Sequence, residues 1–577
     1  MLKKIILMNK TIYSRFLTWI LFIALFLSLP SESIAQIGWA KSYENGIVVS
    51  AEKHASQVGK KILQQGGNAV DAAVAVQFAL AVTEPRAGNI GGGGFMVLHM
   101  VDGTTTSLDF RERAPQKATK DMFIKDGEYQ PDLSRRSALA SGVPGVVDGM
   151  IKALERYGNL PLETVIAPAI KLAREGYKLT WLQAQDLNDK ADQFEKYRSS
   201  TKYFTKKDES PFKEGDLFIQ KDLAKTLDRI SRMGRDGFYS GVTADRIIEE
   251  MERQGGIISY SDLKNYESKW RDPVTTRFNG YDLHIMPPPS SGSIAIAQML
   301  TMLEDYNLKE LGYNSAEYVH LITEVMRRAF ADRAHFLGDP DFVNIPQSEL
   351  LTENYNQQRM ESFSWENATS SDKISHGNPI QVKESTETTH FSIVDNDGNA
   401  VAITTTLNGS FGNKLAVDGA GFLLNNEMDD FTAQPGEPNM FGLIQGKANA
   451  VAPKKLMLSS MSPTIVTKND STRMVLGAAG GPIIITATFH NFLNMTVFGM
   501  EPQKANSAPR FHHQWMPDKL YYEEYGLSPD TKEKLKEWGH TLNATGSVGR
   551  AHTIYVDENG LKYGAPDPRG DGAAEGY

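Results

Sequence analysis

The chain has 577 residues, 41% hydrophobic and 23% charged, a composition that supports a large buried core and excludes a disordered polypeptide. A formal net charge of −9 and a pI near 5.8, with no basic stripe carrying interleaved aromatics, argue against a nucleic-acid partner. There is no cysteine, which rules out disulfides, thiolate metal sites and a cysteine nucleophile.

Lys3, Lys4, Lys10 and Arg15 precede an apolar run from Phe16 to Leu29, followed by the small-x-small triplet Ser33-Ile34-Ala35. This pattern predicts a signal peptide over residues 1–35, cut after Ala35, and an exported product that is periplasmic or secreted. A short membrane anchor is the competing reading. The run has 14 residues, fewer than the roughly 17–25 that span a bilayer.

The first helix is expected from Lys53 to Gln65, with Ala55, Val58, Ile62 and Leu63 on one face and a stop at Gly66-Gly67. Asn68 caps a second helix that is apolar nearly all round to Leu80, as befits a helix buried between layers. Phe95 to Met100 and Thr104 to Phe110 flank Asp102-Gly103 and read as a hairpin ending at Arg111. Residues 150 to 380 read as mostly helical, including Leu162 to Glu175, Lys221 to Met233, Thr243 to Gln254, Ser293 to Asp305 and Ser315 to Phe336. Ser362 to Glu387 is polar and is expected to be an exposed, mobile tail. Beyond it the pattern turns strand-rich, with hairpins over 463–478 and 551–565 and a helix from Pro482 to Phe498. Blocks of strands and helices predict an α+β fold of stacked sheets with helices outside.

The Glu387-Thr388 junction carries the chemistry. Thr388 to Asp395 reads as a strand, Asn396-Asp397-Gly398-Asn399 as a tight turn, and Ala400 to Thr406 as the returning strand. A threonine hydroxyl needs a base beside it, and no His or Lys is obviously placed to serve. Cleavage before Thr388 would create one, a free α-amine with a pKa of about 7.7–8.0. Its stiff χ1 would fix the hydroxyl relative to that amine.

A series of longer motifs surrounds this junction in order: Gly66–Ala73, Gly88–Met96, Asp109-Phe110-Arg111-Glu112, Pro287–Gly292, Leu424–Phe431, Leu458–Thr464 and Asn506–Gln514. Together with Thr388-Thr389-His390 they closely resemble the γ-glutamyltranspeptidase (glutathione hydrolase) family of N-terminal-nucleophile hydrolases, from about residue 40 to the C-terminus. The resemblance implies a four-layer αββα sandwich and an autocatalytic cut before Thr388, by attack of its hydroxyl on the Glu387 carbonyl and hydrolysis of the resulting ester. The products would be a large subunit, 36–387, and a small subunit, 388–577, which stay together as a heterodimer. Family members often carry Gln where this chain has Glu387, so an altered processing rate or pH dependence is expected.

The resemblance also implies roles. Thr406 would assist Thr388 across the strand pair, and Gly480 and Gly481 would supply oxyanion N–H groups. Polar or basic residues often follow these glycines, whereas Pro482-Ile483 stands here. Arg111 would hold the donor's α-carboxylate with Ser459 and Ser460, while Asp430, Glu427 and Asn408 would hold its α-ammonium. Residues 435–442 look like a lid, with Phe441 as its closing aromatic. The glycine run Gly91–Gly94 lacks a following Gly-Lys-Ser/Thr and reads as close backbone packing. His512-His513 lacks metal-site spacing.

The expected activity is transfer of the γ-glutamyl group of glutathione and related compounds to water, amino acids or dipeptides, with no metal or organic cofactor. Two rivals stand beside it. A cephalosporin or glutaryl acylase on the same scaffold would not need to hold an α-amine. An unprocessed binding or scaffold protein would keep the fold without the chemistry.

Overall fold

The computed structural model describes residues 38–374, 388–434, 439–443 and 445–577. The predicted signal peptide, residues 375–387 before the junction and residues 435–438 of the expected lid lie outside the described residues. Within the unit Ala40–Tyr577, the strands of two sheets are β1 (Lys41–Tyr43), β2 (Ile47–Ser50), β3 (Gly93–His99), β4 (Thr105–Asp109), β5 (Lys269–Arg271), β6 (Val274–Phe278), β7 (Tyr281–Ile285), β8 (Thr389–Val394), β9 (Ala400–Thr406), β10 (Thr464–Lys468), β11 (Ser471–Leu476), β12 (Thr553–Val556), β13 (Lys562–Ala565) and β14 (Ala573–Gly576). One seven-stranded sheet runs β1-β13-β12-β11-β10-β7-β6 and the other β14-β2-β8-β9-β3-β4-β5, antiparallel throughout.

Side-chain alternation along the strands builds the layers. Ile47, Val49, Phe95, Val97, Ala400 and Ala402 from one sheet meet Ile465, Val475 and Ile554 from the other in the middle of the sandwich. The intervening residues Val48, Met96, Leu98, Phe391, Ile393, Val401 and Ile403 point the other way, into a cluster with the helices α1 (Lys53–Gln64) and α2 (Ala69–Thr83). On the far side Leu283, Ile285, Val466, Met474 and Leu476 pack with α3 (Gly292–Met302), α4 (Ala316–Phe336) and α5 (Ile483–Thr496). These four layers are the expected αββα sandwich. Asn68 caps α2 through Val70 and Asp71, with Asp71 returning a bond to the Asn68 backbone, and every residue of this helix is buried.

One expectation holds with an addition and one needs correction. The stretch read as mostly helical is so, and it also contains β5, β6 and β7, the last two of which complete an edge of the first sheet. Their short alternating runs between longer helices gave a weak periodic signal. The described part of the Ser362–Glu387 tail is exposed in places but firmly tied: Arg328 donates to Ser362 and Thr369, Ala368 N–H to the Trp538 carbonyl, and Ser371 N–H to Asp518. Trp515 Nε1 donates to the Ser371 carbonyl at 3.1 Å.

The glycine run meets its neighbours without room for side chains. A Cβ on Gly91 would lie 2.1 Å from the Leu423 carbonyl oxygen, and one on Gly92 2.2 Å from that of Thr406. Gly92→Ala should therefore lower stability by about 1–3 kcal/mol through overpacking, read as a lower thermal midpoint of the purified protein; an unchanged midpoint would show that β9 can move away freely.

Candidate active site

Thr389 pairs with Thr405 in the β8–β9 ladder. Continuing that register by one residue sets Thr388 opposite Thr406, and the alternation turns both toward the space between the sheets. Thr388 is 5% exposed and Thr406 2%. The Thr406 hydroxyl accepts the Asn408 N–H at 2.8 Å. His390, two residues along the same face, engages Thr404 and Ser392 through its two ring nitrogens, at 2.9 and 3.0 Å. Burial holds its pKa well below the ordinary histidine value, so this ring is neutral and already committed. Its engagement leaves an α-amine on Thr388 as the simplest base for the hydroxyl.

Thr388, Thr406, Asn408 and Gly481 line a narrow cavity with about 320 Å³ of empty space, together with Arg111, Glu427, Asp430, Ser459 and Ser460 among others. Arg111 is fully buried. It follows β4, its N–H held by Asp109 Oδ1 at 3.0 Å. Its guanidinium donates to Glu427 and, at 2.8 Å, to Asp430 Oδ2, and lies 3.5 Å from Glu112. Two backbone carbonyls, of Met457 and Leu458, each accept from it at 3.3 Å. Burial alone would lower the Arg111 pKa, but Glu427, Glu112 and Asp430 together raise it. Burial likewise raises the Glu112, Glu427 and Asp430 carboxyls, with Arg111 opposing in each case. Glu427 and Asp430 line the cavity beside Arg111, with Glu112 behind them in the same charged cluster.

Asn408 sits at φ +72° and donates Nδ2 to the Asn426 carbonyl at 2.9 Å, which leaves Oδ1 as the acceptor an ammonium would need. Gly480 and Gly481, at φ +138° and +58°, join the short strand Ala478–Ala479 to α5. The structure brings Gly481 onto the cavity wall, while Gly480 is not among the residues that line it. Pro482 is the N-cap of α5, so the helix begins at Ile483, one position later than the start at Pro482 expected from the sequence. Phe441 is buried on the same wall, and a Cβ on Gly481 would come within 2.7 Å of its ring.

Arg333 lines the cavity and was not singled out from the sequence. It donates to Ser291 Oγ at 2.8 Å and to Ser460 Oγ at 3.1 Å. Burial lowers its pKa to about 10, with Asp430 pulling upward. The sequence reading takes Ser315 to Phe336 only as a helix; in the structure Glu324, Arg327, Arg328, Asp332 and Arg333 on it are all buried. The one signal was charge density in a helix flanked by apolar blocks.

Among the described residues His320, Glu324 and His540 approach within metal-ligand distance of one another. His320 and His540 bond each other at 2.7 Å, His320 also reaches the Ser364 carbonyl, and Glu324 is ion-paired to Arg327 and Arg328. His512 and His513 are likewise occupied, by Thr486 and Gln514 and by Asp518 and the Trp515 N–H.

The raised Asp430 carboxyl gives a pH prediction. It takes up its proton at a higher pH than an ordinary aspartate of pKa about 3.9, so kcat/KM for an ammonium-bearing donor should fall on the acid side above that value. Asp430→Asn should lower kcat/KM at neutral pH by about tenfold or more, the cost of one charged contact, and displace this limb. An identical profile in the variant would detach Asp430 from the donor.

The chain matches the family model described as Gamma-glutamyltranspeptidase over residues 55–577. A glutathione hydrolase proenzyme of a Pseudomonas species is 46% identical over 580 residues, covering 99% of this chain and 100% of that one. That of Escherichia coli is 45% identical over 536 residues, 92% of each chain. A cephalosporin acylase from Bacillus halodurans has a similar solved structure, with a TM-score of 0.84 at 26% identity, covering 95% of this chain and 98% of that one. With a match this long, on a sandwich whose Thr388-bearing strand opens onto a buried arginine–carboxylate pocket, the chain belongs to the γ-glutamyltranspeptidase family.

Proposed function

We propose that the chain is the precursor of a γ-glutamyltransferase and glutathione hydrolase that works through Thr388. One observation carries the reading: the cavity at Thr388 extends to a buried Arg111 already paired with Asp430 and Glu427. A γ-glutamyl donor ends in an α-carboxylate and an α-ammonium, and this zwitterion exchanges like for like with that pair. Its carboxylate takes the Arg111 fork and the hydroxyls of Ser459 and Ser460. Its ammonium takes Asp430, Glu427 and Asn408 Oδ1. No buried charge is orphaned by the exchange, which is the main penalty of such a site.

Maturation begins when the Thr388 hydroxyl attacks the Glu387 carbonyl, and water resolves the ester to leave subunits 36–387 and 388–577 as a heterodimer. The new α-amine then takes the hydroxyl proton as Oγ attacks the γ-amide carbon of glutathione or a related compound. The N–H groups of Gly480 and Gly481 receive the developing oxyanion, and Thr406 orients the nucleophile. The cleaved amine departs with a proton, and water, an amino acid or a dipeptide resolves the γ-glutamyl ester. Phe441 covers the site from the lid side and limits water. Residues 1–35 direct export to the periplasm or the exterior.

The likeness to the cephalosporin acylase fold keeps acylase chemistry in view. An acyl group without an α-amine would bring no ammonium to Asp430, Glu427 and Asn408 Oδ1, which favours the γ-glutamyl reading.

Intact-mass analysis and N-terminal sequencing test the nucleophile. Wild-type protein should yield two fragments, the smaller beginning Thr-Thr-His-Phe, and Thr388→Ala should stay whole and turn over no γ-glutamyl anilide. A folded wild-type chain that is never cut would remove Thr388 from its role and restore the scaffold reading.

A further inference from the structure

Arg333 stands on α4 at the wall of the Arg111 pocket, and its hydrogen bonds have a fixed direction. A guanidinium carries donors and no acceptor, so both serines it touches must accept. Ser291 Oγ, at the start of α3, accepts from Nε at 2.8 Å and passes its own proton to the Ser459 carbonyl at 2.7 Å. Ser460 Oγ accepts from Nη2 at 3.1 Å, and among the described residues its own proton has no acceptor. Ser460 lines the pocket, so that O–H is left to donate there. The third nitrogen of Arg333, Nη1, is buried and has no partner among the described residues, a costly state for a charged donor.

The same arginine braces the two segments that carry these hydroxyls. Ser290 and Ser459 form a parallel bridge, the Ser291 N–H donates to the Ser459 carbonyl at 2.8 Å, and the Ser459 N–H donates to the Pro289 carbonyl at 2.9 Å. Ser290 Oγ donates to the Met461 carbonyl at 2.7 Å. Residues 287–292 and 458–464 thus form one unit, which Arg333 spans from Ser291 to Ser460. Arg111 is neutralised by direct contact with Glu427 and Asp430, whereas Arg333 is held by hydroxyls alone.

We propose that Arg333 is a positioning residue for donor recognition: by making Ser460 Oγ an acceptor, it turns that hydroxyl's proton into the pocket, toward the α-carboxylate of the donor. The inference rests on the γ-glutamyl reading above and adds a second buried cation to the carboxylate side. Ser459 Oγ accepts the Met461 N–H at 3.2 Å, which leaves its proton available in the same sense. The carboxylate then meets hydroxyl donors whose direction is set before it arrives, and less of its binding is lost to ordering them.

The test measures γ-glutamyl anilide cleavage by wild-type protein, Arg333→Met, Ser460→Ala and the double variant, with a denaturing gel to confirm that each is cut. In each single variant the donor KM should rise about tenfold, the factor given by about 1.4 kcal/mol, with kcat within about twofold, the pattern of lost donor binding. Because Arg333 acts through Ser460, the double variant should stay near tenfold, far short of the roughly hundredfold that independent contacts would give. Arg333→Lys serves where the Met variant is not cut: its single ammonium cannot span both serines, and it should show a raised donor KM with the same non-additivity. An unchanged donor KM in a cut Arg333 variant, a fall in kcat alone, or effects that multiply would overturn the assignment. Arg333 variants that all stay uncut would make the residue structural and overturn it too. Wild-type protein that is cut yet cleaves no γ-glutamyl anilide would remove the donor reading itself, a failure seen without any variant.

Discussion

The pairing of β8 with β9 at the centre of the second sheet is the constraint on which the rest depends. β8 is held on its other edge by β2, and β9 by β3, so the residue before β8 cannot shift without disturbing four strands. Thr388 stands just outside this ladder, and a cut before it breaks no sheet hydrogen bond. The strands before and after residue 388 are also interleaved. β14, β8 and β9 share one sheet with β2 to β5, and β10 to β13 share the other with β1, β6 and β7. Neither part of the chain can form a sandwich alone, which explains how a self-cleaving precursor keeps its core.

The second constraint is buried charge. Arg111 with Glu427, Asp430 and Glu112 is costly to desolvate, and such clusters contribute little net stability. Here the surrounding elements hold it fixed: Asn439 and Asn449 bond Asp430, and Arg333 reaches the neighbouring Ser460. The cost is offset elsewhere, in three apolar layers between and outside the sheets. Stability alone does not account for the arrangement, since a buried ion pair of this kind adds little to it.

A different buried network holds the chain upstream of the junction. Glu324, Arg327 and Arg328 on α4, with Asp518 and Trp515, fasten residues 362–371. Arg327 and His513 hold the Asp518 carboxyl well below its ordinary range even as burial opposes them. The polar residues of this segment are largely exposed yet bonded to the buried Arg328 and to Asp518, and composition alone does not distinguish a tied segment from a loose one.

Much was legible locally. Asn68, Gly66-Gly67 and Asn396–Asn399 are caps and turns whose chemistry acts within a few residues, so helix ends and hairpins follow from sequence. Alternation along β8 and β9 fixed which side chains face together, and the motif resemblance pointed to Thr388 and the pocket residues. The sequence did not reveal Arg333 or the anchoring of 362–371. Arg111 meets Glu427 and Asp430 across 316 and 319 positions, and the charged residues of α4 find partners in distant segments. Short-range backbone preferences were therefore set by the sequence itself. Which charges are buried together, and what spaces open beside Thr388, was decided only by tertiary packing, because desolvation and ion pairing depend on neighbours that chain order does not supply.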